Sequence, residues 1–335
     1  MAHALRLAKR NEGLTGGNPA VGCVIADADG IIYATGVTAF CGRPHAEVIA
    51  MKQFEQIKPN STTDLAMYIT LEPCSHYGKT PPCAEQIIKF SKQFPLKRII
   101  IGSGDRDTRV NGAGIKTLQT AGLEVIFDTT DLAIQDFYKP YNFARRNLQP
   151  FVTIKIGASV DGKISTNGGE SKWITSDGMR RYTNFLRSKV DGILIGGGTF
   201  RKDHPQLTCR IAGLEEFSPK QFILSASAES ADFTVVHGNL KGVLQEIYQK
   251  HEVNHLLVEG GTQVITSFLK ENLVQRIIAV TGSALLGGES RGWIEELGIS
   301  KMHETIKLEL KSAEVVGSNT INTYDVRETQ TRPVR

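Results

Sequence analysis

Three short segments in the first ninety residues share one chemistry: His45-Ala46-Glu47, Glu72-Pro73-Cys74 and Cys83. They offer one imidazole and two thiolates, three ligands for a tetrahedral zinc. The fourth position stays open, which a metal that acidifies a water requires. Glu47 follows the histidine by two residues and can serve as general base toward that water. Structural zinc sites are closed by four protein ligands, so three ligands and a nearby carboxylate argue against a merely structural module. The expected chemistry is hydrolytic. Cys23, Cys41 and Cys209 are expected to be packing residues, since cysteine is among the most buried side chains.

These groups need elements to hold them. Ala2–Ala8 has the pattern of an amphipathic helix, and Val21–Ala26 with Ile31–Thr35 flanks the turn residues Asp27–Gly30 as a hairpin. His45–Phe54 predicts a helix after Pro44, Met67–Thr70 a strand, and Cys83–Ser91 a helix after Pro81-Pro82. Arg98–Ile101, Ile115–Ala121 and Glu124–Phe127 continue as strand, helix and strand. His45 and Glu47 then begin one helix while Cys74 and Cys83 flank the start of another, and both helix dipoles would favour anionic ligands. Asp131–Pro150, with Pro140 and Arg145-Arg146, changes character, and the domain boundary is expected near its end. Beyond it, strands at Phe151–Ile156, Asp191–Ile195, Phe222–Leu224, His255–Val258 and Arg276–Val280 alternate with helices at Asp177–Ser188, Leu240–Gln249 and Thr262–Lys270. Lys307–Lys311 and Thr320–Val326 read as antiparallel strands. Two α/β domains follow.

Composition narrows the class. A chain of 335 residues suggests about two domains. A net charge of +4 without a dense Lys/Arg run does not read as a nucleic-acid tract, and suits anionic small molecules. No stretch approaches the ~18 apolar residues of a membrane span, and Met1–Arg10, with His3, Arg6 and Lys9, is no signal peptide. Two cysteines wanted as thiolates among five suggest a reducing cytoplasm.

In the second half, glycines cluster at strand ends: Gly196-Gly197-Gly198-Thr199, Glu259-Gly260-Gly261-Thr262 and Gly287-Gly288. Such clusters let backbone N–H groups reach phosphates. No Gly-x-Gly-x-x-Gly follows a first strand, so the ordinary dinucleotide fingerprint is not supported. Unliganded turns would account for these glycines equally well.

The run Glu72-Pro73-Cys74-Ser75-His76-Tyr77-Gly78-Lys79-Thr80-Pro81-Pro82-Cys83 resembles the bifunctional deaminase/reductase family of riboflavin biosynthesis, with eight residues between the cysteines. Asn18-Pro19-Ala20-Val21-Gly22 is similar to its first-strand signature. Ala158-Ser159-Val160-Asp161-Gly162-Lys163, Ser171-Lys172-Trp173-Ile174-Thr175 and Asp203-His204-Pro205-Gln206-Leu207-Thr208-Cys209-Arg210 resemble its reductase half. The resemblance covers nearly the whole chain. It implies a cytidine-deaminase-like three-layer αβα domain at 1–145 and a dihydrofolate-reductase-like α/β domain at 146–335. It further implies zinc-dependent deamination of a diaminopyrimidinone carrying ribosylamino 5′-phosphate, then NADPH-dependent reduction of ribosyl to ribityl. By the same resemblance Asn18, His76 and Lys79 contact the first substrate, Lys79 at its phosphate. Gly157, Trp173, Thr199, Asp203 and Gly261-Thr262-Gln263-Val264-Ile265-Thr266-Ser267 line the NADPH site. Lys155, Ser171, Arg187, Leu207, Arg210 and Glu259 face the sugar phosphate, where guanidinium forks match phosphate oxygens. Asp203 is the candidate for proton movement at the sugar. The plain alternatives are a solvated loop for Lys79, an exposed helix position for Arg187 and core packing for Trp173.

The chain departs from the family pattern in places. Thr38 stands where members usually have a histidine, and Asp105-Arg106-Asp107-Thr108 where they have Asp-Pro-Asn-Pro. Ser225-Ala226-Ser227 replaces an Asp-Ser-like strand end, and the segment from Ile211 to His237 is shorter, which touches the preference for NADPH over NADH. Deamination is expected to persist with altered contacts. A diverged paralogue acting on a related aminopyrimidine nucleotide is the alternative. A nucleic-acid deaminase would need stacking aromatics near the metal, for which Tyr77 is the obvious candidate. A homo-oligomer is expected.

Overall fold

The computed structural model describes residues 1–57, 63–78, 80–107 and 110–327. The chain divides into two compact units, Met1–Leu148 and Gln149–Arg335.

The first unit runs α1 (Ala2–Arg10), β1 (Gly22–Asp27), β2 (Ile32–Val37), α2 (Ala46–Ile57), β3 (Leu65–Ile69), α3 (Cys83–Ser91), β4 (Leu96–Ile101), α4 (Ala113–Thr120), β5 (Glu124–Phe127) and α5 (Leu132–Asn147). Its five strands form one sheet in the order β2-β1-β3-β4-β5. β1 pairs antiparallel with β2 and β3, while β3, β4 and β5 are parallel. The β1–β2 turn is closed by the Asp27 carboxylate, which accepts from the N–H groups of Asp29 and Ile31. Side chains of β1 alternate between two cores. Cys23 and Ile25 join Phe54 of α2, Ile87 of α3 and Leu118 of α4. Val24 and Ala26 meet Ala4 and Leu7 of α1. Helices therefore cover both faces of the sheet, which is the three-layer αβα architecture.

α5 is the main departure from the sequence reading, which saw only a change of character before the boundary. Asp131 caps the helix by accepting from Ala133 N and Ile134 N. Ile134 and Tyr138 pack on Leu5 and Leu71. That packed stripe outweighs the roughly 3 kcal/mol that Pro140 costs inside a helix. The expected boundary after residue 145 thus falls in the last turn of α5, and the chain divides after Leu148.

The second unit runs β6 (Phe151–Ser159), β7 (Lys163–Ser165), α6 (Asp177–Arg187), β8 (Gly192–Gly196), α7 (Gly197–Asp203), β9 (Lys220–Leu224), β10 (Thr234–Val236), α8 (Leu240–His251), β11 (His255–Val258), α9 (Thr262–Lys270), β12 (Arg276–Gly282), β13 (Arg291–Gly292), β14 (Leu308–Val316) and β15 (Asn319–Val326). Eight strands order as β10-β9-β8-β11-β6-β12-β15-β14, and β7 and β13 make a separate ribbon. Pairing is parallel from β10 to β12 and antiparallel through β15 and β14. Val152 and Ile154 of β6, Leu194, Leu256 and Val258 pack against Leu244, Ile247 and Phe268 of α8 and α9. On the other face Ile193, Ile195, Ile223 and Leu257 form a second core. The central strands read as continuous apolar runs because both faces are covered. No helix of the described residues is long and apolar enough to cross a membrane.

Candidate active sites

In the first unit the parallel β3–β4 pair and the starts of α2 and α3 converge on one spot. His45 immediately precedes α2, and Cys83 is the first residue of α3. Cys74 lies in the loop after β3, tied to α3 by Cys83 N donating to its Sγ at 3.3 Å and Ala84 N to its carbonyl at 3.2 Å. His45 Nδ1 is 3.3 Å from Cys83 Sγ and 3.7 Å from Cys74 Sγ, and all three donor atoms lie within 4.8 Å of one another. A tetrahedral zinc with bonds of about 2.0–2.3 Å has ligand–ligand edges of roughly 3.4–3.8 Å. The donor set fits zinc in type and spacing.

The loop carrying Cys74 is fixed from behind. Glu72 is buried, and its carboxylate accepts from the N–H groups of Asp105, Gly112, Gly114 and Ile115. It serves as the missing side-chain cap of α4. Gly114 is obligatory there, because a Cβ would sit 2.1 Å from the Pro73 carbonyl oxygen. Gly36 plays the matching part on β2, where a Cβ would meet Ala46 O at 2.0 Å and Ala50 N at 2.7 Å. α2, with His45 and Glu47, can lie on the sheet only because these atoms are absent.

These residues open on a cavity of about 610 Å³, whose lining includes Asn18, Thr38, Arg43, His45, Glu47, Glu72, Cys74, His76, Asp105, Asp107, Tyr141 and Arg145. Glu47 is 3% exposed; burial raises its carboxyl, and the neighbouring His45 only partly offsets this. A hydrogen bond with Cys83, helped by His45, holds the Cys74 thiol down to about 4. The Cys83 thiol is pushed up by Cys74 and by burial. His45 is raised, chiefly by its contact with Cys74.

Asn18 and His76 stand on this lining as the sequence suggested; Lys79 lies outside the described residues. Thr38 also lines the cavity, but its Oγ1 accepts from Val21 N at 2.9 Å and so serves the sheet. Asp107 donates its N–H to Asp105 Oδ1 at 2.8 Å, and burial, followed by the charge of Asp107, pushes Asp105 up to about 6. Tyr141 donates to Asp105 at 3.3 Å. Tyr141 and Arg145 escaped the sequence reading because they ride on α5, which carries no motif. Arg43 escaped it because one arginine in a loop has no periodicity. Of the cysteines read as packing residues, Cys23 and Cys209 are buried and Cys41 is exposed. Tyr77 is exposed, its hydroxyl donating to Glu85 at 2.6 Å, and it does not line the cavity.

In the second unit a larger cavity, about 1240 Å³, opens beyond the carboxyl ends of the adjacent parallel strands β8 and β11. Open α/β sheets bind ligands at such ends. Of the expected cofactor residues, Thr199, Asp203, Gly261, Thr262, Gln263 and Val264 line it; of the expected substrate residues, Ser171, Arg187, Leu207 and Glu259 do. α9 starts at Thr262 without a side-chain cap, so its first N–H groups are open to an anion. Ile265 and Thr266 are buried, as helix periodicity turns them inward, and Ser267 bonds the Gln263 carbonyl. Gly157, Trp173, Lys155 and Arg210 are also outside the lining. Trp173 is 71% exposed with the Arg180 guanidinium 4.4 Å from its ring centroid, so it is not core packing.

Arg187 is buried, and its fork goes to a carboxylate rather than standing open: Nε donates to Glu259 Oε1 at 3.1 Å and Nη2 to Oε2 at 3.0 Å. Burial opposes the Glu259 charge, but Lys155 and Arg187 together hold its carboxyl below the ordinary value. The third glycine cluster is not a phosphate loop, because Asp161 takes the N–H groups of Leu286 and Gly287. Ile164, Ser165 and Arg291 of the β7–β13 ribbon, and Lys202 of α7, line the cavity unannounced. Strands of two and three residues leave no periodic signal to read.

Two family models match the chain: the cytidine and deoxycytidylate deaminase zinc-binding region at residues 1–102 and the RibD C-terminal domain at residues 150–322. The riboflavin biosynthesis protein RibD of Aquifex aeolicus (strain VF5) is 32% identical over 354 residues, covering 96% of this chain and 96% of that protein. RibD of Escherichia coli (strain K12) is 30% identical, covering 95% and 96%. Among solved structures, the diaminohydroxyphosphoribosylaminopyrimidine deaminase/5-amino-6-(5-phosphoribosylamino)uracil reductase of Thermotoga maritima superposes with a TM-score of 0.85 at 27% identity, covering 98% of this chain and 97% of that one. Acinetobacter baumannii RibD, form 1, gives 0.87 at 26% identity and 98% coverage of both.

Proposed function

Because the chain belongs to the RibD family of riboflavin biosynthesis proteins, it is a bifunctional deaminase/reductase, and we propose how its two sites divide the work. The observation that carries the first step is a three-donor metal set opening, beside a buried carboxylate, on one cavity. The substrate is 2,5-diamino-6-(5-phosphoribosylamino)pyrimidin-4-one, the class that the resemblance implies. His45, Cys74 and Cys83 hold zinc, which when bound makes a water acidic enough to attack near neutral pH. Glu47 accepts the proton of the water that adds to the ring carbon bearing the amine. It passes that proton to the ring nitrogen, then takes the second proton from the added hydroxyl and hands it to the departing amine, so that the C=O forms, the C–N bond breaks and ammonia leaves. Its burial supports this role, since a carboxyl raised toward neutrality can both accept and donate. Asn18 and His76 orient the substrate.

In the second unit NADPH, when bound, supplies the hydride that reduces C1′ of the ring-opened ribosylamino group to ribityl. Gly261, Thr262, Gln263, Val264 and Thr199 would hold the cofactor, and the uncapped N–H groups at the start of α9 would favour its anionic phosphates. Ser171, Leu207 and the Arg187–Glu259 pair, with Lys155 and Arg210 nearby, position the sugar phosphate. Asp203, on the cavity lining at the end of α7, moves the proton at the sugar. Two ligand thiols suit a reducing cytoplasm. A homo-oligomer is supported by β14, an edge strand with Leu310 and Val315 exposed.

An anaerobic assay of the zinc-loaded protein with the diaminopyrimidinone nucleotide and NADPH, following ammonia and NADPH oxidation together, tests the reading. Both signals are expected. Glu47→Gln should lower ammonia release by about 100-fold or more, the range of general acid–base catalysis, with zinc retained. Silence in both, with NADPH oxidation on the already deaminated substrate, would mean that the first site acts on another compound; silence on both substrates would favour the diverged paralogue.

A further inference from the structure

We propose that Arg43 is the anion-binding residue at the rim of the first cavity and grips the phosphomonoester of the nucleotide that is deaminated there. The substrate's identity rests on the deaminase reading; the anion site rests on geometry. Arg43 sits two residues before the metal-binding His45 and lines the same cavity as His45, Glu47 and Cys74. It is half-buried and leans toward Gly78 and Thr80, both exposed. Its Nη1 donates to Thr80 Oγ1 at 2.6 Å, and Nη2 lies 3.5 Å from where a Cβ of Gly78 would be. A guanidinium has five N–H donors in a planar fork. Among the described residues Arg43 has this one hydroxyl as hydrogen-bond partner and no carboxylate within ion-pair distance.

The surrounding groups make that unusual. Arg187 in the second unit is neutralised by Glu259, and Glu72 in this cavity is engaged by four backbone N–H groups. Arg145, on the same lining, lies over the Tyr141 ring and donates to the Gly17 carbonyl. A partly desolvated cation without a counter-charge is costly unless a ligand completes it. A second observation points the same way: His76 Nδ1, on the same lining, is buried without a hydrogen-bond partner among the described residues. The same lining also carries the carboxylates of Glu47, Asp105 and Asp107. The cavity thus offers acceptors for an amine-rich ring and a cation for an anionic tail, the two ends of a phosphorylated aminopyrimidine nucleoside.

Two measurements test this separately from the deaminase reading. The first is phenylglyoxal labelling of the zinc-loaded chain, with peptide mapping by mass spectrometry, with and without millimolar ribose 5-phosphate. Protection of Arg43 is expected; equal labelling would overturn the proposal, whatever the enzyme deaminates. The second compares ammonia release from the 5′-phosphorylated substrate and from its riboside. R43A should shrink the preference for the phosphorylated form, in kcat/KM, by ~10–100-fold through KM, as loss of a charged hydrogen bond predicts, and R43K should restore part of it. Equal losses on both substrates, with zinc content unchanged, would make Arg43 a brace for Thr80 and sink the idea.

Discussion

Cys74 and Cys83 show how one residue type takes two characters within a single site. Without a metal the pair divides its protons: Cys74 is held down to about 4 while Cys83, more deeply buried, is pushed up. Zinc binding has to remove the remaining thiol proton, so loading the protein should release protons. The same logic of environment over identity applies to the two arginines named above. Arg187 is bound to Glu259 and helps to position it, whereas Arg43 has open donors. Asp203 is different again, an exposed carboxylate at the end of α7. Asp203→Asn should leave the KM for NADPH within about twofold while turnover falls ~10–100-fold, as expected when a proton-transfer group is lost but its shape is kept. Unchanged turnover would remove Asp203 from the chemistry.

At the scale of elements, the first site is a product of two close approaches. Gly36 lets α2 sit on β2, and Gly114 lets α4 abut the Pro73 carbonyl. Gly36→Ala forces a methyl into backbone at 2.0 Å, which no rotamer can relieve. Overpacking of this kind costs about 1–3 kcal/mol or more, and here it moves the helix that carries Glu47 and directly follows His45. The variant should fold with reduced zinc occupancy and reduced ammonia release, read by metal analysis on the purified protein; full occupancy would mean that α2 adapts. In the second unit His255 on β11 shares a hydrogen bond of 2.8 Å with Thr153 Oγ1, and burial, reinforced by Arg276, lowers it to about 3. A depressed histidine contributes stability that is complete above the unfolded value near 6.5 and is lost as pH falls toward about 3. Between pH 6 and 4 this unit should weaken by up to ~1.4 kcal/mol per pH unit, a slope that His255→Asn should flatten. Both tryptophans, Trp173 and Trp293, belong to this unit, so urea titrations followed by tryptophan fluorescence report it selectively.

At the scale of the whole molecule, two chemistries with unrelated requirements share one chain. The first needs a metal and a buried carboxylate; the second needs a dinucleotide and has the larger cavity. Each unit has its own sheet and its own cores. Removing zinc with a chelator should therefore abolish ammonia release while leaving NADPH oxidation on the already deaminated substrate within about twofold, and zinc alone should restore the first activity. Loss of both activities on chelation would mean that the second unit depends on the metal-loaded state of the first.

Ligand identity was legible in the sequence because metal chemistry restricts residue type so tightly: one imidazole, two thiols and a carboxylate admit few other uses. The hairpin, α2, α3 and the parallel strands were legible because apolar periodicity and turn residues act locally. What surrounds the metal was not. Glu72 looked like part of a motif and proved to be the cap of α4, because the four N–H groups it satisfies lie 33 to 43 residues away. Tyr141 and Arg145 enter the site on α5, a helix whose Pro140 reads locally as a break and which tertiary packing carries through. The ribbon residues beside the second cavity belong to strands too short to have a period. Sequence alone determined which atoms could do the chemistry; the fold decided which side chains face them, since that depends on contacts made at long range.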